Sequence, residues 1–271
     1  MDFKILNKKN SREKNMTKQE NYYAEVFEKP WGRMFYDLLF PQLLPNLTKD
    51  SKILSFGSGF GRTETFLMEQ GFEVTGYEPD VEKLEMMSDQ TFRQLTGTFD
   101  DFAETVKNER YDVILIHNVL EYVLDRKVVL ELLLSLLTDG GTLSIVKHSK
   151  YGSMIEVAAG RDNPQAALDV YENEAVASHN HGDILVYDDD WLTDFVANYK
   201  LKLQEKFGIR HFYGISQNAE IKETDNWYQP MLKLEQKVAK DQTLYPVARL
   251  HHLIFKKLRR ICYDTHITHH A

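Results

Sequence analysis

The chain alternates between two hydrophobic spacings. Continuous apolar runs read as buried strands, and apolar residues three and four apart read as helices. Strand-like stretches fall at Lys52–Phe56, 73–78, 94–99, Tyr111–His117, 142–147, 201–215 and 248–256. Helix-like stretches separate them: 62–70 closed by Gly71, one opening at Pro79-Asp80, a short one opened by Asp100 and Asp101, and one from Asp125 through Leu137 stopped by Asp139-Gly140-Gly141. Residues 188–199 and 229–240 add two more. This alternation predicts an α/β fold with seven strands in a mostly parallel sheet and helices on both faces.

The regular pattern has a preface, an interruption and two tails. Residues 19–45 carry Tyr23, Val26, Phe27, Met34, Phe35, Leu38 and Leu39 at helical spacing, and Pro30 with Gly32 is expected to separate two helices. Residues 149–187 contain Gly152, Gly160, Pro164 and a polar run but no clear strand, and read as an inserted lid over the carboxyl ends of the strands. Residues 1–18 are polar and basic and read as a disordered tail. Residues 19–258 then form the folded domain, and 259–271 a second tail. The late basic cluster Lys256, Lys257, Arg259 and Arg260 reads as a solvated strand end.

Composition narrows the function classes. In 271 residues, 41 Asp and Glu outweigh 33 Lys and Arg, for a net charge of −8, which disfavours a whole-surface nucleic-acid footprint. No apolar run approaches the roughly 20 residues of a membrane span, and no signal peptide is visible, so the cytosol is the expected location. Cys262 is the sole cysteine, which leaves no disulfide framework or cysteine zinc cluster. His266, His269 and His270 with Asp264 read as a frayed end rather than a metal site.

The chemistry concentrates after the first strand. It runs directly into Gly57-Ser58-Gly59-Phe60-Gly61, a turn whose glycines admit positive φ and close ligand approach. A helix N-terminus beyond such a turn favours polar or anionic groups. Glu78 closes the second strand, 17 residues after Gly61, close to the spacing of an acid that accepts hydrogen bonds from ribose hydroxyls. His117 ends the fourth strand, at the sheet edge where α/β proteins bind ligands.

From about residue 20 to 258 the chain resembles class I S-adenosylmethionine-dependent methyltransferases, which have a Rossmann-like sheet. Four features carry the resemblance: the glycine turn, Glu78, the pair Asp100-Asp101, and Asn118-Val119-Leu120-Glu121-Tyr122 followed by Leu137-Thr138-Asp139-Gly140-Gly141-Thr142-Leu143. Within that class it is similar to the tRNA 5-carboxymethoxyuridine methyltransferase family, through His117 to Tyr122, Ala159-Gly160, Gly208-Ile209-Arg210 with Phe212, and Arg249-Leu250-His251-His252. The class usually carries an acid two residues before the first glycine, where this chain has Ser55.

The resemblance implies S-adenosylmethionine as cofactor. Gly57, Ser58 and Gly59 would lie against its methionine portion and Glu78 would hold the ribose. Asp100 or Asp101 would accept from the adenine amino group, with Phe102 near the ring, although Asp is also an ordinary helix N-cap. Arg33 would pair with the cofactor carboxylate, and an exposed helical arginine is the equal alternative. His117 would contact the cofactor or serve as a base for a hydroxyl or amine acceptor, whereas a carboxylate acceptor needs none. Tyr151, His179, His181, Arg210 and Tyr213 are candidates for an acceptor pocket. The stretch 172–183 lacks Lys and Arg, which favours a small-molecule acceptor, while the subfamily resemblance favours a tRNA uridine. A protein of the same fold that binds the cofactor without transfer, and an NAD-dependent dehydrogenase, are the competing readings.

Overall fold

The computed structural model describes residues 29–85, 91–173, 175–178 and 182–259. The tail 1–18, Tyr23, Val26, Phe27, His179, His181 and the terminal histidines lie outside them. Seven strands form one sheet: β1 (Lys52–Phe56), β2 (Glu73–Tyr77), β3 (Arg93–Leu95), β4 (Tyr111–His117), β5 (Leu137–His148), β8 (Leu201–Ile209) and β9 (Leu250–Lys257). Their order is β3-β2-β1-β4-β5-β9-β8. Pairing is parallel from β3 through β5, while β9 runs antiparallel to both β5 and β8. Six strands therefore end at one edge. The order reverses between β1 and β4, and ligands of open α/β sheets bind at such a switch point.

The continuous apolar runs are continuous because the central strands are covered on both faces. Ile114, Leu115 and Ile116 of β4 and Leu143 and Ile145 of β5 are fully buried. On one face they meet Val129, Leu130, Leu133 and Leu134 of α5 (Arg126–Leu136). Asp125 caps this helix by accepting from the Val128 N–H at 3.3 Å. On the other face α1 (Pro30–Leu43) contributes Met34, Leu38 and Leu39.

Several expected boundaries move, each for a local reason. Pro30 occupies the first turn of α1, where its missing N–H costs nothing, and Gly32 lies inside that helix rather than at its boundary; the stretch before residue 29 lies outside the described residues. The Asp139-Gly140-Gly141 stop does not delay the fifth strand. β5 begins at Leu137, and Thr138 to Gly141 bulge out between the pairs Tyr111–Leu137 and Val113–Thr142. Thr138 anchors the bulge through a 3.1 Å hydrogen bond to Asp112. The last basic cluster is not simply solvated: Lys257 Nζ donates to the carbonyls of Leu134 and Leu137, satisfying the end of α5.

Residues 149–187 are more ordered than their sequence suggests. They hold α6 (Lys150–Ile155), a π-helical turn at Glu156–Gly160, α7 (Pro164–Asn173) and a hairpin of β6 (Ala175–Ser178) with β7 (Gly182–Leu185). The expectation of no strand is thus corrected. Ile184 and Val186 pack with Val157, Ala167 and Val170 into a small core of their own.

Candidate active site

The switch-point turn is built by close packing. Gly57 has φ +83° and Gly59 φ +57°. A Cβ on Gly57 would stand 2.3 Å from a methyl of Val119, so the segment after β4 presses directly on the turn. The Gly57 and Ser58 N–H groups donate to the Tyr77 carbonyl at 2.8 and 2.9 Å. Glu78 reaches back from the end of β2 and accepts from the Gly59 N–H at 2.9 Å and the Asp80 N–H at 3.0 Å, with Lys83 3.5 Å away. The glycine turn and its acid therefore meet, as the sequence spacing predicts. A carboxylate offers about four lone-pair sites, so Glu78 retains capacity for ligand hydroxyls.

The other sequence candidates divide. Asp101 is committed to the first turn of α4 (Phe99–Val106): it forms a capping box with Thr98, accepting from the Thr98 N–H at 3.0 Å. Thr98, not an aspartate, is the N-cap. Asp100 is exposed beside it. Phe102 is a core residue, 1 % exposed, its ring centroid 4.4 Å from that of Tyr77 at a tilt of 31°, and it packs against Phe56. Arg33 lies 3.7 Å over the Tyr228 ring of α10 (Asp225–Val238). That contact, with a 2.7 Å hydrogen bond from Tyr228 to Asp37, ties α1 to α10. On its other side α1 stacks Phe40 on Phe66 of α2 (Arg62–Glu69) at 3.7 Å. The arm thus spans from the glycine turn to the far half of the sheet.

His117 is tied into a hydrogen-bonded chain across the sheet. Its Nε2 shares a 2.8 Å hydrogen bond with Ser144, which bonds His252 at 2.9 Å, and His252 meets Gln42 at 2.9 Å. Desolvation pushes the His117 pKa down to about 3, which leaves it a weak base near neutral pH.

A second arrangement was hidden in the sequence. Glu121, fully buried after β4, accepts from the backbone N–H of His148 at 2.7 Å and pairs with its ring Nδ1 at 3.0 Å. Burial lowers the His148 pKa and leaves the imidazole neutral near pH 7. Desolvation opposes ionisation of Glu121, but the hydrogen bonds from His148 outweigh it and hold its pKa below the ordinary value. The only sequence signal was Glu121 itself, which reads equally as a helix cap.

Beyond this pair, at the same edge, lies a cavity of about 390 Å³. Its lining includes Arg210, Arg161, Lys222 and Lys29, against Glu156 and Glu223. Arg210 follows β8 with φ +63°, and its buried Nε has no partner among the described residues. Glu235 of α10 holds the adjoining loop: it accepts from the N–H groups of His211, Phe212 and Tyr213 at 2.7, 2.8 and 3.0 Å and pairs with the His211 ring at 2.9 Å. Desolvation raises its pKa, but these four bonds win and lower it overall. Glu235→Ala is therefore expected to destabilise the protein by about 3 kcal/mol or more near neutral pH, because three backbone donors, two of them buried, lose a charged acceptor. A lowered folded-state pKa gives stability above the unfolded value that disappears as pH falls through the folded one. Urea unfolding of wild type and variant should thus differ most near pH 7, and the difference should shrink only as pH falls below the ordinary carboxylate range.

Residues 31–184 match the family described as the methyltransferase domain. The chain belongs to that family. With the seven-stranded sheet this makes it a class I S-adenosylmethionine-dependent methyltransferase, which sets aside the dehydrogenase reading. The tRNA 5-carboxymethoxyuridine methyltransferase of Escherichia coli K12 is 25% identical over 218 residues, covering 76% of this chain and 80% of the relative. A solved S-adenosylmethionine-dependent methyltransferase of Methanosarcina mazei superposes with a TM-score of 0.55 at 14% identity, covering 82% of this chain and 99% of that one. The plantazolicin methyltransferase BpumL, solved with a pentazolic desmethylPZN analog and S-adenosylhomocysteine, gives 0.55 at 17% identity over 89% and 91%. These last two likenesses concern the fold. No helix among the described residues is long and apolar enough to cross a membrane.

The cofactor of this class fits the methyltransferase's own turn. Three buried acceptor atoms at or beside the carboxyl edge lack partners among the described residues: Oε2 of Glu64, Oδ1 of Asn118 and Oε2 of Glu121. A Cβ on Gly59 would meet nothing within 4 Å, so the turn is open there. A polar ligand rich in hydroxyl and ammonium donors suits that set.

Proposed function

We propose that this methyltransferase transfers the methyl group of S-adenosylmethionine to an anionic acceptor, a carboxylate oxygen, held in the Arg210 cavity. The observation that carries the reading is the unpartnered guanidinium Nε of Arg210 inside a cavity at the carboxyl edge. Guanidinium groups bind carboxylates through paired N–H donors. Arg161 is already engaged by Glu156 at 2.7 Å; Arg210 senses the same carboxylate and lies over the Tyr213 ring, but its Nε keeps a donor for an acceptor group.

In this reading the turn 57–59 and Glu78 hold the cofactor, while Arg210 orients the acceptor. The cofactor supplies an electrophilic methyl group when bound. The protein's share is alignment of the reacting atoms, which can account for about 7–11 kcal/mol of a barrier. A carboxylate is ionised near neutral pH and needs no general base, in keeping with the low basicity of His117. The described parts of 149–187, with their separate small core and with Glu156, Gly160 and Arg161 in the lining, act as its cover.

The carboxylate belongs to a small metabolite or to a modified tRNA uridine. The 25%-identical relative is named for a carboxymethoxyuridine, so undermethylated tRNA is the first acceptor to assay. Methylation of tRNA with a steep loss of binding between 50 and 200 mM salt would identify the polynucleotide source. Turnover of a free carboxylate with no such salt dependence would identify the small molecule. Turnover only on hydroxyl or amine acceptors would contradict the proposal.

A further inference from the structure

Glu64 sits in the first turn of α2, three residues after Gly61. An acid in that position ordinarily rests in solvent near the positive end of the helix. Glu64 is instead 1 % exposed. Its carboxyl group lies beside the Ser55 side chain on β1, close enough to Glu78 at the end of β2 for the two carboxylates to repel. Its Oε2 has no hydrogen-bond partner, and no basic side chain among the described residues pairs with it. Lys83, the cation beside Glu78, is directed to Glu78 itself.

A buried acceptor without a donor is costly and calls for one from outside the chain. Building on the cofactor reading above, we propose that Glu64 binds the α-ammonium group of the cofactor's methionine portion, supplying from the helix the acid that β1 lacks at Ser55. The ammonium is the matching group because it brings both positive charge and N–H donors. The sulfonium has charge but no donor, and the ribose hydroxyls have Glu78. The location agrees as well, since Ser55 leads into the turn and Glu64 follows it, so both flank the segment expected to lie against the methionine portion.

Proton linkage gives a second signature. Desolvation chiefly, opposed by the Ser55 side chain and the Glu64 N–H and reinforced by Glu78, raises the Glu64 pKa to about 7. An ammonium partner favours the ionised carboxylate, so binding near pH 6.5 should release a proton and affinity should rise as pH increases through 7.

The test is calorimetric titration of the full-length protein with S-adenosylhomocysteine and with 5′-methylthioadenosine, which has the same nucleoside but no amino-acid portion. Glu64→Gln and Glu64→Ala are expected to weaken S-adenosylhomocysteine roughly tenfold and more than tenfold, respectively, for loss of one charge-assisted bond. Both should leave 5′-methylthioadenosine within about twofold, and both should abolish the buffer-dependent proton release. Adding Ser55→Asp to Glu64→Ala should recover part of the lost affinity. Equal losses for both ligands, or no loss for either, would overturn the assignment by reducing Glu64 to a structural acid. Wild-type protein that binds neither ligand would overturn the cofactor reading itself, a failure distinguishable from these.

Discussion

Glu78→Ala is expected to weaken S-adenosylhomocysteine binding by about 100-fold or more. Two effects combine at this residue. The carboxylate is 5 % exposed and holds the Gly59 N–H at 2.9 Å, so its loss frees the turn from the end of β2. It is also the group assigned to the ribose hydroxyls, and each hydrogen bond to a charged group contributes about 1.5–3 kcal/mol. Two such bonds correspond to a hundredfold change or more, since about 1.4 kcal/mol is a factor of ten. Glu78→Gln keeps the shape and one acceptor, and should fall between the variant and wild type. Calorimetry reads the effect directly, and an affinity within threefold of wild type would remove Glu78 from the site.

Arg210→Ala should lower kcat/KM for a carboxylate acceptor by about 100- to 1,000-fold while leaving S-adenosylhomocysteine affinity within about twofold. The half-buried guanidinium lines the cavity, and its buried Nε has no partner among the described residues. Removing one member of such a charged, hydrogen-bonded pair typically costs about 2–5 kcal/mol. Arg210→Lys retains charge but lacks the planar fork, and should recover only part of the activity. The split between acceptor kinetics and cofactor affinity is the informative feature. A variant that loses both equally would place Arg210 in the fold of the site rather than in acceptor recognition.

Legibility of this protein from sequence follows from where the information is local. The sheet was readable because strands covered on both faces need unbroken apolar runs, and β4 shows one from Val113 to Ile116. The glycine turn and Glu78 were readable because their spacing is set by a single β–α–β unit. Boundaries failed where tertiary contacts overrode local signals. Gly140 reads as a helix stop, yet Thr138 and Asp112 fold it into a bulge within β5. The hairpin of β6 and β7 escaped notice because Ala175, Ala177 and Ser178 give it little strand character of their own.

The candidate site was less readable, for the same reason. Glu64, Glu121 and Glu235 look in sequence like three ordinary helix-side acids. Burial against Ser55, His148 and the loop after Arg210 makes each of them structural or functional, and those partners are 9, 27 and 22 to 24 residues away. Conversely Phe102 and Asp101 stand beside a plausible adenine site in sequence, but core packing and a capping box account for the contacts they make.

The most direct measurement of the central claim is the alkali stability of the product formed with radiolabelled S-adenosylmethionine. Transfer to a carboxylate oxygen yields a methyl ester. The account predicts label that mild base releases as methanol, formed by the wild type and strongly reduced in Arg210→Ala. Label that survives base, as on nitrogen, carbon or an ether oxygen, would contradict it.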